Sequence, residues 1–296
     1  MNVQQQVERF EVPSHIRIML LQMDGTAQKP KIKFVNPNTG NYDRNIRHAA
    51  SLNLPMIEKN SNVGQGVIIC GSGPTLHDPH VMKKIRQYVE KGFKIIACKA
   101  AIKYLHEQGL KVDFGCSMDP GDHIANPDKI YKAPGTKHII ASSSDPALFE
   151  YLKDEEVLIF HSATGYEKEV ALYKTLFKDS WCAGGGYNVV NRAVSAAMYM
   201  GFSPVVLAGT DCGYREDQTF YVCGDNPRDG VDMNDGGAVD GVPWLTRPDM
   251  LASGIALARL SKKLGKDEII FLGDTLPAKL QYKSEEFLNA CGDFGG

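Results

Sequence analysis

The sequence predicts an α/β protein built on a mostly parallel sheet with helices on both faces. Three observations predict it. Short runs such as "VIIC" (67–70) and "KIIAC" (94–98) are apolar throughout, as strands buried on both faces are. Segments of helical period separate these runs from about residue 66 onward, which is the rhythm of parallel strands joined by crossover helices. The length of 296 residues suits one large domain, alone or with an appendage.

Taken in order, "VIIC" is bounded by glycines and reads as the first strand. Asp78 and Pro79 read as the N-cap and first position of a helix, with Val81, Ile85, Tyr88 and Val89 at helical spacing and Gly92 closing it. "KIIAC" is the second strand, "KAAIKYLHEQG" a short helix ended by Gly109, and "VDFGCSMD" (112–119) the third strand. "KHIIAS" (137–142) and "EVLIFH" (156–161) supply two more. "GGGYNVVNRAVSAAMYMG" (184–201) is a glycine-led helix with Val190, Ala193, Val194 and Ala197 on one face, and it runs into the strand "PVVLAGTD" (204–211). A loop rich in Asp and Gly follows from about 212 to 243, then a helix from about Pro248 to Leu264 and a last strand, "EIIFLG" (268–273). Residues 1–62, with many Asn and Pro, break the alternation and read as an irregular N-terminal appendage. Residues 63–281 form the α/β, Rossmann-like domain, and 282–296 a C-terminal tail.

The formal net charge of −2 gives no electrostatic reason to expect nucleic acid or an anionic membrane as partner. No apolar run of about 18 residues is present, so no membrane span is expected. The opening "MNVQQQVERFEVP" lacks a basic start and an apolar core, so a cytoplasmic location is the expectation. The seven cysteines form no C-x-x-C pair and no zinc spacing, and they read as thiols in a reducing compartment. Cys182 and Cys212 flank the richest motifs and are the two candidates for a nucleophile. No metal-ligand set is assigned.

Ligands of such sheets bind at the carboxyl ends of the strands. "GSGPT" after the first strand offers exposed amides with the Ser72 and Thr75 hydroxyls, a turn able to hold phosphate. It has neither G-x-G-x-x-G spacing nor the Lys-Ser/Thr of a P-loop, and a plain strand-to-helix turn is the other reading. On the phosphate reading, a side chain at Gly73 abolishes binding and leaves the fold intact. "CAGGGYN" is the second glycine element, where Gly184, Gly185 and Gly186 permit close approach and Asn188 can hydrogen-bond a ligand; simple linkage is the alternative. It joins the first element only if the helix N-terminus faces the same edge. "SMDPGDH" sets Asp119, Asp122 and His123 at a strand end, to grip a ribose or a Mg²⁺-bound diphosphate, or to form a turn. Asp211 in "GTD" reads the same way. The aspartate-rich segment 223–241 reads as a solvated loop, placed to act as a lid, with Tyr214 and Tyr221 on its near side. Trp244 either packs on a substrate or anchors that loop.

Together "VIICGSGPTL", "KVDFGCSMDP", "GGGYNVVNRAVSAAMYMGFSPVVLAGTDCGY" and "VDGVPWLTRPDML" resemble the Maf/MptE-like family over roughly residues 50 to 281. That family includes bacterial motility-associated transferases of nonulosonic acids and archaeal 6-hydroxymethylpterin diphosphokinases, and related reading frames occur in bacteriophages. The chain is also distantly similar to bacterial CMP-sialic-acid-dependent sialyltransferases. The resemblance implies a nucleotide held between Gly71, Ser72, Gly73, Pro74 and Thr75 on one side and Gly184, Gly185, Gly186 and Asn188 on the other. It puts Tyr214 or Tyr221 near the leaving phosphate. The sialyltransferases place a histidine base beyond the Gly-x-Asp strand, whereas this chain has no histidine after His161, so Asp119, His123 and Asp211 are the candidate bases. The pterin branch carries an acidic Thr-Asp-Gly-Asp turn that this chain lacks.

The expected function is therefore a nucleotide-sugar-dependent glycosyltransferase with a CMP-activated nonulosonic donor. Its expected partners are a small nucleotide-linked substrate and a glycan or protein acceptor, within a monomer or a homo-oligomer. A Mg²⁺-dependent diphosphokinase and a non-catalytic nucleotide-binding or structural protein are the alternatives.

Overall fold

The computed structural model describes residues 39–164, 166, 168–179, 181–186, 188–213, 238–239, 242–244, 246 and 248–290. Its centre is a seven-stranded sheet in which every pairing is parallel. The strands are β1 (Val67–Cys70), β2 (Lys94–Cys98), β3 (Phe114–Ser117), β4 (Lys137–Ala141), β5 (Val157–Phe160), β6 (Val205–Ala208) and β9 (Ile269–Phe271). Their order across the sheet is β5-β4-β3-β2-β1-β6-β9. The chain steps in one direction from β1 to β5 and then returns to pair β6 on the other side of β1, so the order reverses between β1 and β6. Such a reversal is where open parallel sheets generally form their ligand crevice, because the connections on its two sides run to opposite faces. Two further strands, β7 (Ala238–Val239) and β8 (Val242–Pro243), form a small antiparallel pair.

Both faces are covered. Ile68, Cys70, Ile95 and Ala97 pack with helix α2 (Pro79–Glu90) and helix α3 (Ala101–Glu107), through residues such as Val81, Ile85, Ile102 and Leu105. Val67, Ile69, Ile96, Cys98 and Cys116 pack on the opposite face with helix α6 (Val189–Tyr199), through Val190, Ala193, Val194 and Ala197. The four apolar positions predicted for one side of that helix are all buried, together with Ala196, Asn191 and Arg192. Helix α4 (Pro146–Tyr151) follows β4, and helix α5 (Glu169–Phe177) follows β5. Helix α7 (Pro248–Leu264) precedes β9, with helices α8 (Leu276–Leu280) and α9 (Glu285–Ala290) after it.

Within the N-terminal segment, Thr39–Ser51 form helix α1. Its Tyr42 and Ile46 pack on Leu172 and Tyr173. Residues 55–57 then run beside β5, where the Ile57 amide donates to the Ile159 carbonyl at 2.9 Å and the Ile159 amide to Pro55 at 2.8 Å. They cover part of an edge that would otherwise present unpaired backbone groups. Among the described residues no helix is long and apolar enough to cross a membrane.

Candidate functional site

Of the motifs singled out in the sequence, the "GSGPT" turn, Asp119 with His123, Asp211 and the start of the glycine-led helix gather at the carboxyl edge of the sheet. At the crevice, the turn after β1 lies against the turn after β6. The Gly71 amide donates to the Ala208 carbonyl at 2.9 Å, and the Gly73 amide to the Gly209 carbonyl at 2.8 Å. A Cβ on Gly71 would overlap the Gly209 carbonyl oxygen, and one on Gly209 would overlap that of Gly71. A Cβ on Gly73 would overlap Asp211 Oδ2 and lie 2.7 Å from the Gly209 carbonyl oxygen. The glycines of "GSGP" therefore let two backbones touch, and a side chain at Gly73 would have to displace Asp211 and the Gly209 carbonyl, where the sequence reading expects the fold to be unaffected.

Thr75 completes this seam. Its hydroxyl donates to Asp211 Oδ2 at 2.9 Å, and its amide reaches the same carboxylate at 3.3 Å. The segment after β9 closes over the pair, with the Leu276 amide donating to the Asp211 carbonyl at 3.1 Å. Asp211 is 3% exposed. Burial raises its carboxyl to about 7, against the hydrogen bonds from Thr75 that favour the charged form. Pro74 opens a short 3-10 turn to His77, and Asp78 then caps α2 by accepting from the His80 amide at 2.7 Å, as predicted.

The N-terminus of α6 faces the same edge: Val190 Cγ2 lies 3.1 Å from where a Cβ on Gly71 would stand. Asn188 is its N-cap, accepting from the Asn191 amide at 3.0 Å, while its Nδ2 points at Cys212 Sγ, 3.9 Å away. Gly185 and Gly186 have φ of +88° and +144°, which favour glycine, and Asn191 Nδ2 holds the Gly185 carbonyl at 2.6 Å. Arg192 in the first turn is buried, donating to Ser162 Oγ at 3.1 Å and the Ala163 carbonyl at 2.5 Å.

Asp119 stands just beyond β3. Lys99, the residue after β2, donates from Nζ to Asp119 Oδ2 at 3.0 Å, and the Gly121 amide donates to Oδ1 at 3.2 Å. His123 Nε2 lies 3.5 Å from the same Oδ2. Burial pushes the Asp119 carboxyl up, but Lys99, His123 and the Gly121 amide outweigh it and hold the group below the usual carboxylate range. His123 is half exposed. Ser72 Oγ donates to the Cys98 carbonyl at 3.3 Å, so the first glycine turn rests on the peptide that leads into Lys99.

Other candidates resolve differently. Burial pushes the Cys212 thiol far up, and burial together with Glu169 and Asp179 pushes Cys182 up to about 11, so neither is a thiolate at neutral pH. Trp244 is fully buried among Leu251, Ile255, Leu276 and Leu280, which makes it an anchor rather than a platform for substrate. Tyr214, Tyr221 and most of the aspartate-rich loop lie outside the described residues. The sequence reading missed Lys99, because lysine carries no preference for the φ of +53° it adopts. It also missed Asn45 of α1, whose Nδ2 ties the loops after β3 and β4 by donating to the Pro120 and Ser143 carbonyls at 3.2 and 2.9 Å.

The family described as 6-hydroxymethylpterin diphosphokinase MptE-like matches residues 39–217, more than half of the chain. No curated protein matches it. Among solved structures, the MAf glycosyltransferase from Magnetospirillum magneticum AMB-1 is similar, with 18% identity and a TM-score of 0.57 over 85% of this chain and 41% of that one. At that identity the likeness is one of fold, and this chain spans about two fifths of that protein's length. A mammalian sialyltransferase in complex with Gal-beta-1-3GalNAc-ortho-nitrophenol aligns over 90% of this chain and 92% of its own, at 13% identity and a TM-score of 0.41.

Proposed function

The chain belongs to the 6-hydroxymethylpterin diphosphokinase MptE-like family, and on that premise we propose that it is a nucleotide-sugar-dependent glycosyltransferase whose donor is a CMP-activated nonulosonic sugar. The observation that carries this reading is the meeting of both glycine elements, the Ser72–Gly73 turn and the capped N-terminus of α6, at one carboxyl edge around the strand reversal. A nucleotide laid across that edge has the turn on one side and the positive end of a helix dipole on the other. The shared fold of the Maf glycosyltransferase is compatible with it.

In this reaction the acceptor hydroxyl oxygen attacks the anomeric carbon, and the bond from that carbon to the nucleotide phosphate oxygen breaks. The phosphate leaves with the electron pair, and the hydroxyl proton passes to a base. Of the candidate bases, Asp211 is enclosed and bonded to Thr75, while Asp119 is paired with Lys99. His123 is half exposed with a carboxylate beside it, an arrangement that orients an imidazole. We assign it as the base, with Asp119 positioning it. Tyr214 and Tyr221 are kept as donors to the leaving phosphate on the strength of the resemblance alone.

A second reading, a Mg²⁺-dependent diphosphokinase, is favoured by the description of the family itself. Thermal-shift measurements with CMP, UDP, ATP and pterins, each with and without Mg²⁺, separate the two. Stabilisation by CMP without metal is expected. Stabilisation by ATP and a pterin only with Mg²⁺, accompanied by AMP release, would replace the first reading by the second.

A further inference from the structure

We propose that Lys99 is the cation that receives the substrate phosphate, in a subsite between the Ser72 turn and Asp119 at the carboxyl ends of β1, β2 and β3. The inference rests on the reading of this edge as the place of a phosphate-bearing substrate, but it does not depend on which group is transferred.

The glycine turn is poorly equipped to meet a phosphate through its own amides. Only the Ser72 amide is left for a ligand: those of Gly71 and Gly73 already donate to the Ala208 and Gly209 carbonyls, that of Thr75 reaches the Asp211 carboxylate, and Pro74 has none. The helix that follows offers no anion site either. Asp78 has placed its own carboxylate on the N-terminus of α2, where a phosphate would otherwise sit. Positive charge for this part of the edge must come from elsewhere.

The neighbouring strand supplies it. Lys99 directly follows β2, which pairs with β1, and the carbonyl before it carries the hydrogen bond from Ser72 Oγ. Its backbone is left-handed, at φ +53°, held by a bond from its amide to the Cys116 carbonyl at 3.2 Å. Residues in that region are uncommon outside glycine, asparagine and aspartate, and they recur at functional sites. The kink turns the chain at once into α3, and the side chain reaches along the edge to Asp119, 3.0 Å away, while remaining about one third exposed. Asp119 holds the ammonium at the edge until a second anion shares it. Arg44 and Arg192 flank the same edge, but Arg44 is engaged by Asp145 and Arg192 by Ser162 and Ala163. The ligand is a phosphate ester or diphosphate, such as that of a nucleotide.

The test uses the full chain and four probes: inorganic pyrophosphate, CMP, cytidine and ATP, titrated by calorimetry and by thermal shift. Wild type is expected to bind pyrophosphate and to prefer CMP over cytidine. Lys99→Gln is expected to weaken all three phosphorylated probes by about tenfold or more, as loss of a charge-assisted pair does, while Lys99→Arg retains most of the affinity. Should Lys99→Gln fail to fold, Asp119→Asn reads the same pair from the other side: freeing the ammonium should tighten pyrophosphate binding, and weaker binding overturns the assignment. Pyrophosphate affinity unchanged in a folded Lys99→Gln also overturns it, as does a wild type that binds no phosphorylated probe. If the anions bind through Lys99 but no donor sugar is transferred, the subsite stands and the glycosyltransferase reading falls. If transfer occurs and Lys99→Gln binds CMP like wild type, the reverse holds.

Discussion

Thr75 and Asp211, 136 positions apart in the chain, behave as one buried unit. The hydroxyl and amide of one hold the carboxylate of the other, and Gly73 must be glycine because that carboxylate occupies the space of its side chain. Gly73→Ala is therefore expected to destabilise the protein by on the order of 3 kcal/mol, the range of overpacking in a site that cannot relax. A urea melt checks it, and wild-type stability would mean that the seam yields easily. The sequence made this turn visible as a strand-end glycine loop, because glycines between an apolar run and a helix cap are a local signal. It could not show that the partner is the turn after β6, since nothing in residues 71–75 encodes what lies across the crevice.

Two elements at the edge begin with capped helices that differ in what the cap does to charge. Asp78 brings a carboxylate to the start of α2, whereas Asn188 caps α6 with a neutral amide and leaves the dipole uncompensated. Asp78→Ala and Asn188→Ala should each cost about 1 kcal/mol in stability, the usual loss of an N-cap. Their effects on ligand binding should diverge. Asn188→Ala weakens CMP binding severalfold in calorimetry, and Asp78→Ala leaves it near wild type; equal effects would remove α6 from the nucleotide site. The Asp78-Pro79 start was legible from the sequence, as was the buried face of α6. Helix α1 was not, since "TGNYDRNIRHAAS" has few apolar residues and earns its place through Tyr42, Ile46 and the polar ties of Asn45.

At the scale of the whole molecule, three buried groups among the described residues have large shifts that bear on the response of stability to acid, and the lowered carboxyl of Asp119 adds to the loss at low pH. Burial lowers His138 and His161 from 6.5 to about 4, so both stay neutral in the folded state while the unfolded chain takes up protons. Their contribution is fully present above pH 6.5 and lost as pH falls towards 4, by about 3 kcal/mol each from the size of the shifts. Asp211 acts in the opposite sense. Its carboxyl is raised from 3.8 to about 7, so its contribution is present below 3.8 and lost as pH rises through 7. The two histidines outweigh the one aspartate, and a net fall on the order of 3 kcal/mol between pH 7 and 4 is expected in urea melts. His161→Gln should flatten that slope and Asp211→Asn should steepen it; a slope unmoved by either would show that the burial effect is not at work. By itself the sequence determined the seven strands of the parallel sheet, four of the described helices and the Asp78 cap, because apolar runs, periodicity and capping residues act over a few positions; the short helices such as Pro146–Tyr151 and Leu276–Leu280 are too brief to carry a period. It also determined that the glycine and aspartate motifs fall at strand ends. Only the tertiary structure decided the order β5-β4-β3-β2-β1-β6-β9, which seals Gly73 against Asp211 and sets Lys99 beside Asp119 and the Ser72 turn. Strand order follows from pairings between segments far apart in the chain, and no local pattern carries them.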